Sequence, residues 1–263
     1  MTALAEIIAM HSYRGGTGKS VIAANVAVLM AQRGYRVALV DADMQSPALS
    51  VLLTVSEAIK CHALADFLLG RCEIADAVCE VTVAGTAGKL FLVPARSGVT
   101  AIDEIMMRGY DVGLLREGFE QLVACLDLDL LVVDTHAGIN NETATSVGVA
   151  DQLMIVTRPD RLDLTGAGES IALANRLNCP RRAVVVNLAP EAEMPARIRA
   201  DVESLYGTKI TAVVPYAPEM ASLAGERLLV TAHPDHCLVD QYQQIIDAIV
   251  RYSRNLTERG RAG

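Results

Sequence analysis

The sequence predicts an α/β domain: a mostly parallel, twisted sheet with helices on both faces. Three observations predict it. Short apolar runs of strand length alternate with longer segments of helical periodicity, as in strands joined by crossover helices. A glycine-rich loop, "RGGTGKS", lies between the first strand pattern and the first helix pattern. The 263 residues, 52% apolar and 21% charged, suffice for one substantial core at ordinary globular composition. There is no internal repeat, low-complexity tract or linker, so one domain is expected over residues 1–250, with a flexible basic tail at 251–263.

The elements follow in chain order. Ile7 to Met10 forms a strand leading into the glycine loop. From Lys19 to Gln32, the residues Val21, Ala24, Val28 and Met30 suit a helix that Gly34 stops. "RVALVDAD" reads as a buried strand ending in carboxylates, Leu64 to Leu69 as a short helix, and "KLFLVPA" as a further strand. A helix over Gly113 to Leu126 delivers the chain to the strand in "LDLLVVDTHAG". The strand pattern returns in "DQLMIVTRPD" and "RAVVVNLAP", with a helix over Gly166 to Leu177 between them, and again in "ITAVVPY". Val239, Tyr242, Ile246 and Ile249 recur at helical spacing in a last helix over Val239 to Val250, and should be core.

Composition narrows the function. No apolar run reaches membrane-spanning length, and "MTALAEIIAM" has neither the basic region nor the apolar core of an export signal, so a cytoplasmic protein is expected. The six cysteines show no C-x-x-C pair and no zinc-like spacing, which favours reduced, buried thiols. A formal charge of -8 argues against general adhesion to nucleic acid but leaves room for a local basic patch.

Tyr13 to Ser20 reads "YRGGTGKS", close to the phosphate-binding pattern G-x-x-x-x-G-K-S/T, but Tyr13 holds the place of its first glycine. Gly15, Gly16 and Gly18 lack a Cβ, so the loop can wrap phosphates closely and point successive N–H groups at them. The helix starting there adds its positive end. Lys19 would neutralise the β- and γ-phosphates and the Ser20 hydroxyl would take a magnesium position, with Thr17 and Val21 among the nucleotide contacts. The alternative is a glycine-rich turn with an incidental lysine.

Two further segments fall where such a site needs them. "LLVVDTHAG" runs an apolar strand into Asp134, a carboxylate able to hold magnesium through its water shell, and Gly138 could bring an N–H to the γ-phosphate. His136 in that turn reads as a local contact in preference to a base. "VALVDADMQSPALS" ends a strand in Asp41 and Asp43, whose spacing is expected to send their side chains to opposite faces of the strand, so that they divide the work. One would face the magnesium or the neighbouring strands, the other the attacking water.

With "RGGTGKS", the D-x-D strand, "DTHAG", "IVTRPD" and the late strand ends in place, the chain resembles the ParA/MinD group of P-loop ATPases. Their deviant Walker A motif is K-G-G-x-G-K-S/T. The resemblance implies ATP and Mg2+ as cofactors, with Asp43 positioning the hydrolytic water, Asp41 supporting magnesium and the first switch, and Asp134 as the Walker B acid. It also implies that Asn187 and the segment Pro215, Tyr216 and Ala217 bind adenine. The family's first motif lysine, which reaches the partner's phosphates in an ATP-sandwiched dimer, is Arg14 here. Arginine keeps the charge with a different geometry.

The resemblance implies a homodimer when ATP is bound and an adaptor or activator protein that accelerates a slow hydrolysis. The cargo would be a chromosome, plasmid or protein assembly. A membrane partner is disfavoured, because "RYSRNLTERGRAG" offers only Tyr252 and Leu256 as sizeable apolar groups after Arg251. Non-specific DNA, and hence association with the nucleoid, is slightly favoured, with Arg181, Arg182, Arg197, Arg199, Arg251, Arg254, Arg259 and Arg261 as candidate contacts. An ATP-dependent synthetase or ligase, and a metal-cluster insertion ATPase, remain as alternatives within the same superfamily.

Overall fold

The computed structural model describes residues 5–55, 62–96, 104–105, 111, 113–190, 195–223, 225 and 227–253. Its strands are β1 (Glu6–His11), β2 (Arg36–Asp41), β3 (Cys79–Val81), β4 (Lys89–Val93), β5 (Leu130–Asp134), β6 (Gln152–Thr157), β7 (Arg181–Ala189) and β8 (Ile210–Pro215). They form one eight-stranded sheet in the order β3-β4-β2-β5-β1-β6-β7-β8. All neighbours run parallel except β3, which pairs antiparallel with β4. The described helices are α1 (Lys19–Gln32), α2 (Leu49–Leu52), α3 (Leu64–Leu68), α4 (Gly113–Leu126), α5 (Asn141–Val149), α6 (Arg161–Arg176), α7 (Pro195–Tyr206), α8 (Glu219–Ser222), α9 (Leu229–Ala232) and α10 (Cys237–Tyr252).

The central strands are apolar throughout because both sheet faces are covered, which is the condition for a parallel sheet. Successive side chains serve opposite faces. On β5, Leu130 and Val132 pack towards α1 and α10, whereas Leu131 and Val133 pack towards α3 and α4. On β6, Met154 and Val156 share the first face, while Leu153 and Ile155 meet Ala167 and Ala174 of α6 and Ile198 and Val202 of α7.

Helix α1 is buried from Ile22 to Ala31, and its alanines let it lie close against the sheet beneath α10. A helix apolar on all sides belongs inside a core. Ile246 of α10 is fully buried, so its truncation to alanine should cost about 2–5 kcal/mol.

Both α1 and α4 keep the bounds read from the sequence. Helix α6 starts earlier than Gly166, because Asp160 caps it by accepting from the N–H groups of Leu162 and Asp163. Helix α10 runs past residue 250 to Tyr252, and residues 254–263 lie outside the described residues. The sequence reading missed β3, α5 and α7, which are short or carry few buried side chains. The cysteines also differ from expectation. Cys79 is disulfide-bonded, and of the free thiols Cys125 and Cys237 are exposed. Among the described residues, no helix is long and apolar enough to cross a membrane.

Candidate nucleotide-binding site

The glycine loop leaves the C-terminal end of β1, whose neighbours β5 and β6 carry the chain away on either side. An open parallel sheet places its ligand crevice at such a point. Gly18 precedes α1 with φ +82°, and a Cβ there would lie 2.4 Å from Nδ2 of Asn187. Only glycine meets both demands. Asn187 Nδ2 donates to the Thr17 carbonyl at 2.7 Å, tying the loop to β7. Around Gly15 and Gly16 there is open space. The loop from Gly15 to Val21 borders a cleft of about 600 Å3, completed by Ser12, Asp43, Ser46, Pro47, Ala48, Val51, Leu52, Ala137 and Gly225.

Beneath the loop, Lys19 is 6% exposed and its Nζ donates to Oδ1 of Asp134 at 2.5 Å, with Ser20 Oγ 3.4 Å from the same nitrogen. Asp134 stands beside Asp41 in the β2–β5 register. Burial, reinforced by the Asp134 charge, raises the pKa of Asp41 to about 7. Asp41 is held by the N–H groups of Ala48 and Leu49, each at 3.0 Å, and of Asp43 at 3.2 Å. Oδ2 of Asp134 is buried without a hydrogen-bond partner. A buried, orphaned carboxylate oxygen beside a hydroxyl and a second carboxylate is a hard oxygen set of the kind that suits Mg2+.

On a regular strand, residues two apart share a face. The expected divergence of Asp41 and Asp43 therefore comes from the end of β2 at Asp41, not from strand alternation. Asp43 turns to the cleft, where Oδ1 accepts from the Ser46 N–H at 2.8 Å and His136 Nε2 lies 3.9 Å away. His136 Nδ1 contacts the Ala137 carbonyl at 2.5 Å. The Gly138 N–H donates to the Ser12 carbonyl at 3.0 Å, so it points within the chain.

Sequence reasoning missed His11, the last residue of β1. It is fully buried, with Nδ1 3.0 Å from Thr135 Oγ1 and Nε2 unpartnered. Burial first, then the nearby Lys19 charge, lowers its pKa to about 3, so the ring is neutral. Its only signal in the sequence was its place directly before the loop.

The loop's start docks on α6. A Cβ at Gly166 would sit 2.2 Å from Cδ1 of Tyr13, so the Tyr13 ring rests on the bare helix backbone. Arg14 Nη1 reaches Asp163 Oδ1 at 3.4 Å, and Arg158 Nε bonds Asp163 Oδ2 at 2.5 Å. Arg158 also lies 3.3 Å from Asp160.

The residues expected around adenine lie at the adjoining ends of β7 and β8, where Ala189 pairs with Pro215. Asn187 is occupied with the loop, and Pro215, Tyr216 and Ala217 do not line the cleft. Tyr216 is exposed and its N–H donates to the Ala189 carbonyl, while Ala217 is buried. Of the basic candidates, Arg181, Arg182, Arg199 and Arg251 share a groove of about 540 Å3 with Lys209 where β6, β7 and β8 begin. Arg197 stands apart in an exposed pair with Asp201, and Arg254, Arg259 and Arg261 lie outside the described residues.

Residues 8–230 match the CobQ/CobB/MinD/ParA nucleotide binding domain. The chain belongs to this family. The family's MinD and ParA members are ATPases, and so is this chain. The structure is similar to that of the septum site-determining protein MinD complexed with Mg-ADP from Pyrococcus horikoshii, with a TM-score of 0.81 at 19% identity over 96% of this chain and 99% of that one. In sequence, it is 33% identical to the antiactivator FleN of Pseudomonas aeruginosa over 171 residues, 65% of this chain and 57% of FleN. It is 31% identical to the flagellum site-determining protein YlxH of Helicobacter pylori over 202 residues, 76% of this chain and 63% of YlxH. The chain thus spans less than two thirds of the length of either of these two relatives.

Proposed function

We propose that this ATPase is a dimeric switch that positions or partitions a cellular cargo, joining its partner copy when ATP is bound and parting after hydrolysis. The observation that carries this reading is the arrangement at the sheet's C-terminal rim. A phosphate-sized loop, a buried Lys19–Asp134 pair and two divergent carboxylates converge there, while Arg14 projects beside them at 45% exposure. The site-determining relatives supply the class of task.

In this reading the N–H groups of Gly15 to Val21 wrap the phosphates, and Lys19 leaves Asp134 to neutralise the β- and γ-phosphates. Asp134, Ser20 and Asp41 are then left to hold Mg2+, directly or through water. When bound, Mg2+ supplies charge neutralisation across those phosphates. Asp43 orients the attacking water. Asn187, Pro215, Tyr216 and Ala217, at the ends of β7 and β8, take the adenine, and Gly138 turns its N–H from Ser12 towards the γ-phosphate.

Arg14 acts in trans, as a finger reaching the partner's nucleotide. An adaptor protein accelerates a slow basal turnover. Non-specific DNA binds along the groove of Arg181, Arg182, Arg199, Lys209 and Arg251, through phosphate contacts that salt weakens.

Sedimentation with ATP, ADP and no nucleotide tests the switch. A dimer specific to ATP is expected, and a species indifferent to nucleotide would refute it. Arg14→Ala should bind ATP yet dimerise and hydrolyse poorly, and Arg14→Lys should restore both. Mixing Arg14→Ala with Lys19→Ala chains places both lesions around one nucleotide, so no gain in turnover over the separate variants is expected.

A further inference from the structure

We propose that Asp163 is a positioning residue that parks Arg14 on its own chain, and that the dimer forms by exchanging this contact for the partner's nucleotide. The proposal rests on the trans role of Arg14 given above.

Residues three apart on a helix lie on one face. Asp163 and Gly166 therefore present one surface of α6 to the loop's start, the first holding Arg14 and the second seating the Tyr13 ring. These contacts dock residues 13 and 14 on their own chain. Tyr13, the misfit in the phosphate-loop pattern, is thus a docking group that requires a glycine opposite it.

The two arginines on Asp163 are not equivalent. Arg158 Nε bonds Oδ2 at 2.5 Å, whereas Arg14 Nη1 approaches Oδ1 at only 3.4 Å and its side chain is 45% exposed. Asp163 itself is 2% exposed. A buried carboxylate left without a counter-charge would be costly. Here Arg14 can depart and leave Asp163 still bonded to Arg158, at the N-terminal turn of α6, where the helix dipole favours negative charge. Arg14, Arg158, Asp160 and Asp163 form a balanced set of two cations and two anions in which Arg14 has the longer contact to Asp163. Arg158 thus sets how tightly Arg14 is held, by competing for the same carboxylate.

The experiment measures dimerisation of the full chain by sedimentation, with a non-hydrolysable ATP analogue and Mg2+. Asp163→Asn keeps the side-chain shape and leaves the Asp160 cap intact. It should lower the protein concentration at half-dimerisation on the order of three- to tenfold, since two such weak pairs open per dimer. Arg158→Gln, which leaves Asp163 to Arg14, should shift it the other way. In an Arg14→Ala chain, which dimerises poorly, adding Asp163→Asn should change nothing.

Unchanged or weaker dimerisation by folded Asp163→Asn overturns the parking role, as does an equal gain in the Arg14→Ala background. If Asp163→Asn loses its urea midpoint, Arg158→Gln decides, and tighter or unchanged dimerisation there overturns the role. Parental dimerisation by Arg14→Ala alone would instead remove the trans role beneath it.

Discussion

At the C-terminal rim of the sheet, Lys19, Asp134 and Asp41 are buried, Lys19 bonded to Asp134 and Asp41 beside it in the register, on strand ends or the first turn of α1. At the opposite rim, Arg181, Arg182, Arg199, Lys209 and Arg251 come from strand starts, helices and a turn, around an open groove, and Lys209 is 92% exposed. Charge at the first rim is shielded from water, so each group depends on its neighbour and a single change propagates. At the second, solvent and salt screen the exposed charges, while Arg199 and Lys209 share Glu203 and Arg181 pairs with Glu6. The fold thus separates a stiff chemical centre from a tunable surface by the length of its strands.

The largest break in this contrast is expected at Lys19. Lys19→Ala should abolish ATP binding and also leave Asp134 as an uncompensated buried charge, lowering stability by about 3–5 kcal/mol. Nucleotide titration and urea unfolding read the two effects separately. If the unfolding midpoint does not move, Asp134 is not dependent on Lys19.

Next comes Asp43, which sits at the cleft without being locked in the buried pair. Asp43→Ala should spare ATP affinity, slow turnover and accumulate the ATP-bound dimer. Parental turnover would assign water positioning to another group.

The buried rim should also carry a pH signature. His11 is held near a pKa of 3, below its ordinary 6.5. The stability this neutral ring contributes is present above pH 6.5 and is lost as pH falls through 6.5 towards 3, with a limiting slope of about 1.36 kcal/mol per pH unit. His11→Gln should remove that falling contribution from the urea-midpoint profile and leave the opposite one of Asp41, whose pKa of about 7 adds stability as pH falls from there towards 3.8. An unaltered profile would mean that His11 does not set it.

The smallest effects belong to the open rim. Arg182→Glu and Arg251→Glu should each alter folding stability by no more than about 0.5 kcal/mol. Any DNA affinity should fall evenly across sequences, with a salt slope shallower by about one per contact. A sequence-selective loss would contradict phosphate binding.

The same contrast governs what could be read beforehand. Local rules wrote the strand–loop–helix unit into "RGGTGKS", and the burial of Leu130 to Asp134 follows from an apolar run stopped by a carboxylate. The divergence of Asp41 and Asp43 depends on where pairing stops, which alternation alone misassigns. Asn187's hold on Thr17, Tyr13's seat on Gly166 and Arg14's contact with Asp163 join residues more than a hundred apart, and no periodicity encodes them. Asp163 lies in "RPDRLD", and its burial follows from the start of α6 at Arg161, which the sequence pattern does not mark.

The ends of the sheet carry a last consequence. Strand β3 is only three residues long, antiparallel, and bears Glu80 in an exposed pair with Lys89 of β4. At the far side, the pairing of β8 with β7 slips register twice. Short, charged or irregular borders resist the backbone-to-backbone zippering that turns sheets into fibrils. In the dimerisation cycle proposed above, such borders would keep two copies from joining through their sheets, so that association rests on the nucleotide face and stays reversible.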